Sequence, residues 1–102
     1  MRIEHEHVVD ASEPDASGTY DYYYEYDLWR FVAGDLAVVA RSYVDNANEV
    51  SFIRKERGGK KESLHVDDLR GQLIREACVY LAGQGKSEFC WLDSERGEYV
   101  GF

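Results

Sequence analysis

Proline occurs once in this 102-residue chain, methionine once and cysteine twice, and uninterrupted apolar runs such as Leu36–Ala40 are short. Each scarcity excludes something. Runs of this length cannot cross a bilayer as a helix, which takes about 20 apolar residues. Cys78 and Cys90 have no CxxC neighbour and are too few for a disulfide framework. They read as thiols packed in a helix and a strand, where free cysteine behaves as a small hydrophobe. The first residues, MRIEHEHVVDASEP, lack the apolar stretch of a secretory signal, so retention in the cytoplasm is expected. Internal repeats and low-complexity tracts are absent, and the length suits one domain spanning residues 1–102.

Positive charge is scarce in one place. Residues 1–27 carry Glu4, Glu6, Asp10, Glu13, Asp15, Asp21, Glu25 and Asp27 against Arg2 alone, a balance of −7. Residues 28–102 carry twelve acids and eleven bases, a balance of −1, so nearly all of the net −8 lies in the first quarter. The opposite extreme is RKERGGKK (Arg54–Lys61), with five bases and one acid. Such polarity bears on association more than on fold. It also argues against nucleic acid as a direct ligand, since the acidic segment repels a phosphate backbone.

Catalytic signatures are missing as well. There is no nucleophile elbow, no phosphate-binding glycine loop and no HExxH. His5 and His7 in EHEH share a strand face, but a metal site would need a third ligand from elsewhere. We expect an exposed polar strand there, with no metal and no cofactor. His65 precedes Asp67 and Asp68, two acids suited to a helix start rather than to proton transfer.

What the chain has in excess is tyrosine, and in one stretch. SGTYDYYYEYDLWR (Ser17–Arg30) holds five of the eight tyrosines within seven residues, interleaved with Asp21, Glu25 and Asp27. Thr19–Val32 reads as a long strand. Gly34-Asp35, as a two-residue turn, leads it into a strand over Leu36–Tyr43 and sets Leu28 opposite Arg41 and Tyr26 opposite Tyr43. Asp45–Asn48 turns that strand into one over Glu49–Lys55. Residues 2–9 form a short charged strand, and Gly58-Gly59 marks a loop tip. Val66, Leu69, Leu73, Ile74, Ala77, Tyr80 and Leu81 recur at helical spacing, which predicts a helix over about 66–82 capped by Gly83. Ser87–Asp93 and Glu98–Phe102 close the chain as two strands. The fold class is therefore α+β: an antiparallel sheet of about five to six strands, with one helix on one face, inserted before the last hairpin.

Alternation then assigns the faces. One face carries Tyr20, Tyr22, Tyr24, Tyr26, Leu28, Tyr43, Val50 and Phe52, with Arg41 and Arg54 among them. The other carries Trp29, Phe31, Val38, Ala40, Val44 and Ile53, with Asp21, Glu25 and Asp27 at its far end. Both faces are substantially apolar, yet a single helix covers only one. The expected remedies are strong sheet curvature, with a bulge near Leu28-Trp29, or a partner.

Tyrosine and tryptophan bring large contact area at little rotamer cost, and interleaved carboxylates steer a cationic surface towards them. The candidate binding residues are Tyr20, Asp21, Tyr22, Tyr24, Glu25, Tyr26, Trp29, Arg41 and Tyr43. The leading expectation is a non-catalytic protein-binding module that docks a basic partner, as an inhibitor does, or a second copy of itself as a homodimer. The alternative is a small enzyme or ligand-binding protein with a tyrosine-lined pocket. Arg41 would then anchor an anion.

Overall fold

A computed structural model describes residues 1–102. Seven strands, β1 (Arg2–Ala11), β2 (Tyr23–Ala33), β3 (Leu36–Tyr43), β4 (Glu49–Arg57), β5 (Lys60–Glu62), β6 (Glu88–Asp93) and β7 (Glu98–Gly101), share one sheet. The one α-helix, α1 (Gln72–Gly83), precedes the last hairpin. Strand order is β1-β2-β3-β4-β6-β7, with β5 paired to the second half of β4. Every pairing is antiparallel except that of β4 with β6. Parallel neighbours need a crossover, which the segment containing α1 supplies. The α+β class is as expected, and the strand beyond the expected six is β5, three residues that close the Gly58-Gly59 hairpin.

The sheet is open rather than strongly curved, which corrects one expectation. The reason lies in β4. The hairpin of β2 and β3 has the expected register, with Leu28 opposite Arg41 and Tyr26 opposite Tyr43. Beyond it, Val39 faces Arg54 while Ala40 faces Phe52, so Ile53 is an extra residue that bulges out of the ladder. The bulge is here, not near Leu28-Trp29, where the pairing runs without interruption. One inserted residue reverses the faces of everything before it. Val50 and Phe52 therefore join Trp29, Phe31, Val38 and Ala40 under the helix instead of joining the tyrosines. One face takes most of the apolar load, and no closure is needed.

That helix-covered face is the core. Leu73, Ile74, Ala77 and Leu81 of α1 meet Trp29, Phe31, Val38, Ala40, Val50, Phe52, Leu64 and Trp91, and Phe31, Phe52 and Ala77 are completely shielded from water. α1 is shorter than its periodicity implies. Val66–Arg70 forms a 3-10 turn, and Gly71 is extended (φ −70°, ψ 154°). Asp68 holds this turn in place: its carboxylate accepts the His65 N–H at 2.7 Å and pairs with Lys55 Nζ at 3.0 Å. The C-terminal cap is also displaced. Gly85 (φ +91°), not Gly83, takes the left-handed conformation. The Lys86 N–H reaches Leu81 C=O and the Gly85 N–H reaches Ala82 C=O, a Schellman closure.

On the other side, the open face, Ala37 and Val39 are each only 1% exposed although no helix covers them. Arg30 and Arg54 flank Val39, and both bind Glu56, at 2.8 and 3.1 Å; Arg30 also reaches Glu4 at 3.1 Å. The aliphatic stems of these side chains roof the small apolar patch. Glu56 is held below its usual range chiefly by the Arg30 hydrogen bond, against a smaller burial effect.

Candidate protein-binding surface

β3 ends at Tyr43, opposite Tyr26, so Tyr23–Glu25 of β2 pair only with Val9–Ala11 of β1. With the connecting residues 12–22 they make a two-stranded arm beyond the rest of the sheet. The molecule measures 49 × 28 × 26 Å, and its radius of gyration of 14.9 Å exceeds the roughly 13 Å of a compact chain of about 100 residues. Residues 8–27, which form the arm and its root, hold Tyr20, Tyr22, Tyr23, Tyr24 and Tyr26 with Asp10, Glu13, Asp15, Asp21, Glu25 and Asp27, and no lysine or arginine. The connection is internally bonded. Asp15 accepts Ser17 Oγ at 2.7 Å and the N–H groups of Ser17 and Thr19, which lowers its pKa, and Gly18 makes the turn at φ +82°. Ser12 Oγ accepts the Asp21 N–H at 2.8 Å.

On the open face the tyrosines form a continuous ridge. Tyr22 stacks on Tyr24 at 6.1 Å, Tyr24 meets Tyr43 at 6.2 Å, and Tyr26 meets Tyr43 edge-on at 5.6 Å. The Arg41 guanidinium lies 4.9 Å from the Tyr43 centroid and 5.8 Å from that of Tyr26. Its Nη2 donates to Tyr99 Oη at 2.8 Å, while its buried Nε has no partner. Reaching Tyr99 means crossing two strands. Arg41, Ser51, Cys90 and Gly101 stand side by side on successive strands, and the three small residues leave a trough for the arginine. No ion pair with Glu49 forms; Glu49 and Asp45 instead line a depression of about 180 Å³ beside Arg41.

The helix-covered face carries a polar chain along the same arm. The Tyr23 hydroxyl donates to Glu25 at 3.0 Å, which raises its pKa. His7 contacts Glu25 through Nε2 at 2.8 Å and Asp27 through Nδ1 at 3.0 Å. Only an imidazolium donates from both nitrogens, and these hydrogen bonds, Asp27 first, raise its pKa. His5 Nε2 meets the same Asp27 oxygen at 2.9 Å, and its ring stacks on Trp29 at 5.0 Å. Desolvation works to raise the Asp27 pKa, yet the hydrogen bonds from His7 and His5 together outweigh it and the net shift is downward. No group of three or more His, Cys, Asp or Glu side chains is arranged to hold a metal ion. The last member of this row is Lys86, whose ammonium lies 5.5 Å from the Trp29 ring centre and donates to Ser42 Oγ and Ala47 C=O.

The nine candidate residues are therefore divided. Tyr22, Tyr24, Tyr26, Tyr43 and Arg41 come together on the open face. Glu25 lies on the opposite face in the histidine cluster. Tyr20 packs on Tyr23 at 5.5 Å, and Asp21 is an exposed bend residue. Trp29 is 4% exposed and belongs to the core, so its indole is not part of an open surface. Sequence reasoning missed Tyr99. Its alternation with Gly101 was readable, but its approach to Arg41 depends on the parallel pairing of β4 and β6.

No protein family, curated protein or solved structure matches the chain.

Proposed function

We propose that the chain is a non-catalytic protein-binding module whose acidic, tyrosine-rich arm docks a basic partner protein. The observation that carries this reading is the arm itself: four tyrosines and five carboxylates in residues 9–25, without a lysine or arginine, held away from the core. Tyr22 and Tyr24 are each about half exposed. Carboxylates around them favour encounter with a cationic surface, and burial of the rings against it then supplies affinity. A pocket enzyme has less support. Arg41 is engaged by three tyrosines, and the depression beside it is lined by carboxylates that repel an anion. The experiment is affinity capture at low salt with the wild-type chain and with a Tyr22→Ser, Tyr24→Ser double variant. A stoichiometric basic protein retained by the first and lost by the second supports the reading; identical recoveries refute it.

One observation favours a second copy as the partner. The Gly58-Gly59 loop is tied to Asp35 at the end of the sheet opposite the arm, and Lys60 and Lys61 there make no ion pair. An acidic pole and a basic pole suit self-association, which sedimentation at about 50 and 500 mM salt would reveal as weakening with ionic strength. We place the protein in the cytoplasm. Both cysteines are free thiols whose pKa values are pushed up, by burial above all, which keeps them unreactive in a reducing compartment.

A further inference from the structure

β1 is an edge strand of ten residues, longer than the usual five or six, and its outer side pairs with nothing. The ladder settles which backbone groups that side presents. The Ser12 N–H donates to Tyr22 C=O, so Ser12–Tyr22 is a hydrogen-bonded pair. Such pairs alternate along an antiparallel ladder. Asp10, Val8, Glu6, Glu4 and Arg2 therefore point their N–H and C=O groups at β2. Ile3, His5, His7, Val9 and Ala11 point theirs outward.

The side chains on the open face of this edge select the occupant. They are Arg2, Glu4, Glu6, Val8 and Asp10. Arg2 is already paired with Glu4 at 2.9 Å. In a continuous sheet, directly opposed residues share a face. An antiparallel two-fold pairing of β1 with a second β1 must then set even residues against even ones. Centred on His5 it opposes Glu4 to Glu6, and centred on Glu6 it opposes Glu6 to itself. Centred on His7 or Val8 it sets Glu4 or Glu6 against Asp10. Each long register places carboxylates together, which disfavours a second copy at this edge, whatever the two charged poles do elsewhere.

We propose that the partner of the interaction module adds an extended segment to β1, antiparallel to it, with lysine or arginine at alternate positions opposite Glu4, Glu6 and Asp10. The backbone supplies the pairing, and the alternate basic side chains supply the selectivity. A cation opposite Asp10 stands in the same cross-strand row as Tyr24, two strand spacings or about 10 Å away, a distance that a long lysine or arginine side chain spans to reach the tyrosine ridge. This inference rests on the interaction-module reading and names the chemistry of its partner.

The probe is a peptide of about eight residues alternating lysine with valine or threonine, titrated into the isotopically labelled chain up to millimolar concentration. Expected is slowed amide exchange, at least tenfold, at His5, His7 and Val9, whose N–H groups point outward, with no change at Glu4, Glu6 or Val8. Val9→Pro, which removes one outward donor and no internal hydrogen bond, should weaken binding at least tenfold. The exchange pattern of the wild-type chain tests the same point without any variant. The proposal is overturned if no binding occurs, if the outward amides stay unprotected, or if a glutamate version of the peptide binds equally well. Protection on concentrating the chain alone would assign the edge to a second copy and overturn it too. Binding unaffected by Val9→Pro but lost in the Tyr22→Ser, Tyr24→Ser variant would remove the edge proposal and leave the arm reading standing.

Discussion

The two ends of β2 use aromatic side chains in opposite ways. Trp29 and Phe31 are 4% and 0% exposed, whereas Tyr23 and Tyr24, a few residues earlier on the same strand, are 50% and 52% exposed. Both ends have the same β-propensity and the same alternation. What differs is company. At Phe31 the strand has β1 and β3 beside it and α1 above, with Tyr80 edge-on at 5.8 Å. At Tyr24 it has β1 alone. Dehydration of a ring requires a second layer, so equal aromatic content yields a core at one end and a free surface at the other. The arm holds its shape through polar contacts instead, the chain from Tyr23 through Glu25, His7 and Asp27 to His5.

Mutations should sharpen this contrast, and the largest effect belongs to the core. Phe52→Ala should lower the unfolding free energy by about 3–5 kcal/mol through lost burial and a residual cavity. Tyr24→Ala should stay within about 1 kcal/mol, both read by urea denaturation. If the two cost the same, the arm is part of the core and the contrast collapses. For binding the order should reverse. Substituting Tyr22 and Tyr24 should cost at least about 2 kcal/mol of partner affinity by calorimetry, as expected of a hot spot.

An intermediate effect is expected where charges do the covering. Glu56→Ala leaves Arg30 and Arg54 without their shared acceptor over Val39, at a cost of about 1–3 kcal/mol by the same denaturation assay. A change below a few tenths of a kcal/mol would show that the arginine stems roof the patch unaided.

The smallest effect concerns pH. His7 has a raised pKa when folded, so its contribution is fully present below about 6.5 and is lost as pH rises through the raised value. Asp27 has a lowered pKa, so its contribution is present above about 3.8 and is lost as pH falls through the lowered value. The arm should therefore be held most firmly between these limits and loosen on the alkaline side first. Amide exchange in residues 8–26 should accelerate on raising the pH past the His7 transition, beyond the intrinsic base catalysis measured on unfolded chain. His7→Gln should abolish that step while leaving the core amides unchanged.

Much of the fold was legible locally. The Gly34-Asp35 turn and the alternation on either side of it placed Leu28 against Arg41 and Tyr26 against Tyr43 as found. The spacing of Leu73, Ile74, Ala77 and Leu81 located α1, though not the break at Gly71, because Val66 and Leu69 keep similar spacing in a 3-10 turn. The tyrosine cluster marked the exposed surface. Its extent was misjudged at Trp29, which obeys the same alternation but lies under the helix. Nothing local tied Tyr99 to Arg41, because their approach depends on the parallel pairing of β4 and β6.

The sequence by itself determined the α+β class, the helix, the concentration of negative charge and tyrosine in one segment, and the parity of each strand up to the first irregularity. These are properties of neighbours along the chain: turn chemistry, side-chain period and composition. Only the tertiary structure decided that Ile53 bulges, that Val50 and Phe52 therefore turn inward, and that β3 stops short and leaves an arm. A bulge moves one residue out of a ladder to fit a helix packed many residues away. The length of a strand's partner is likewise set by the whole sheet, and neither is written in the periodicity of the strand it changes.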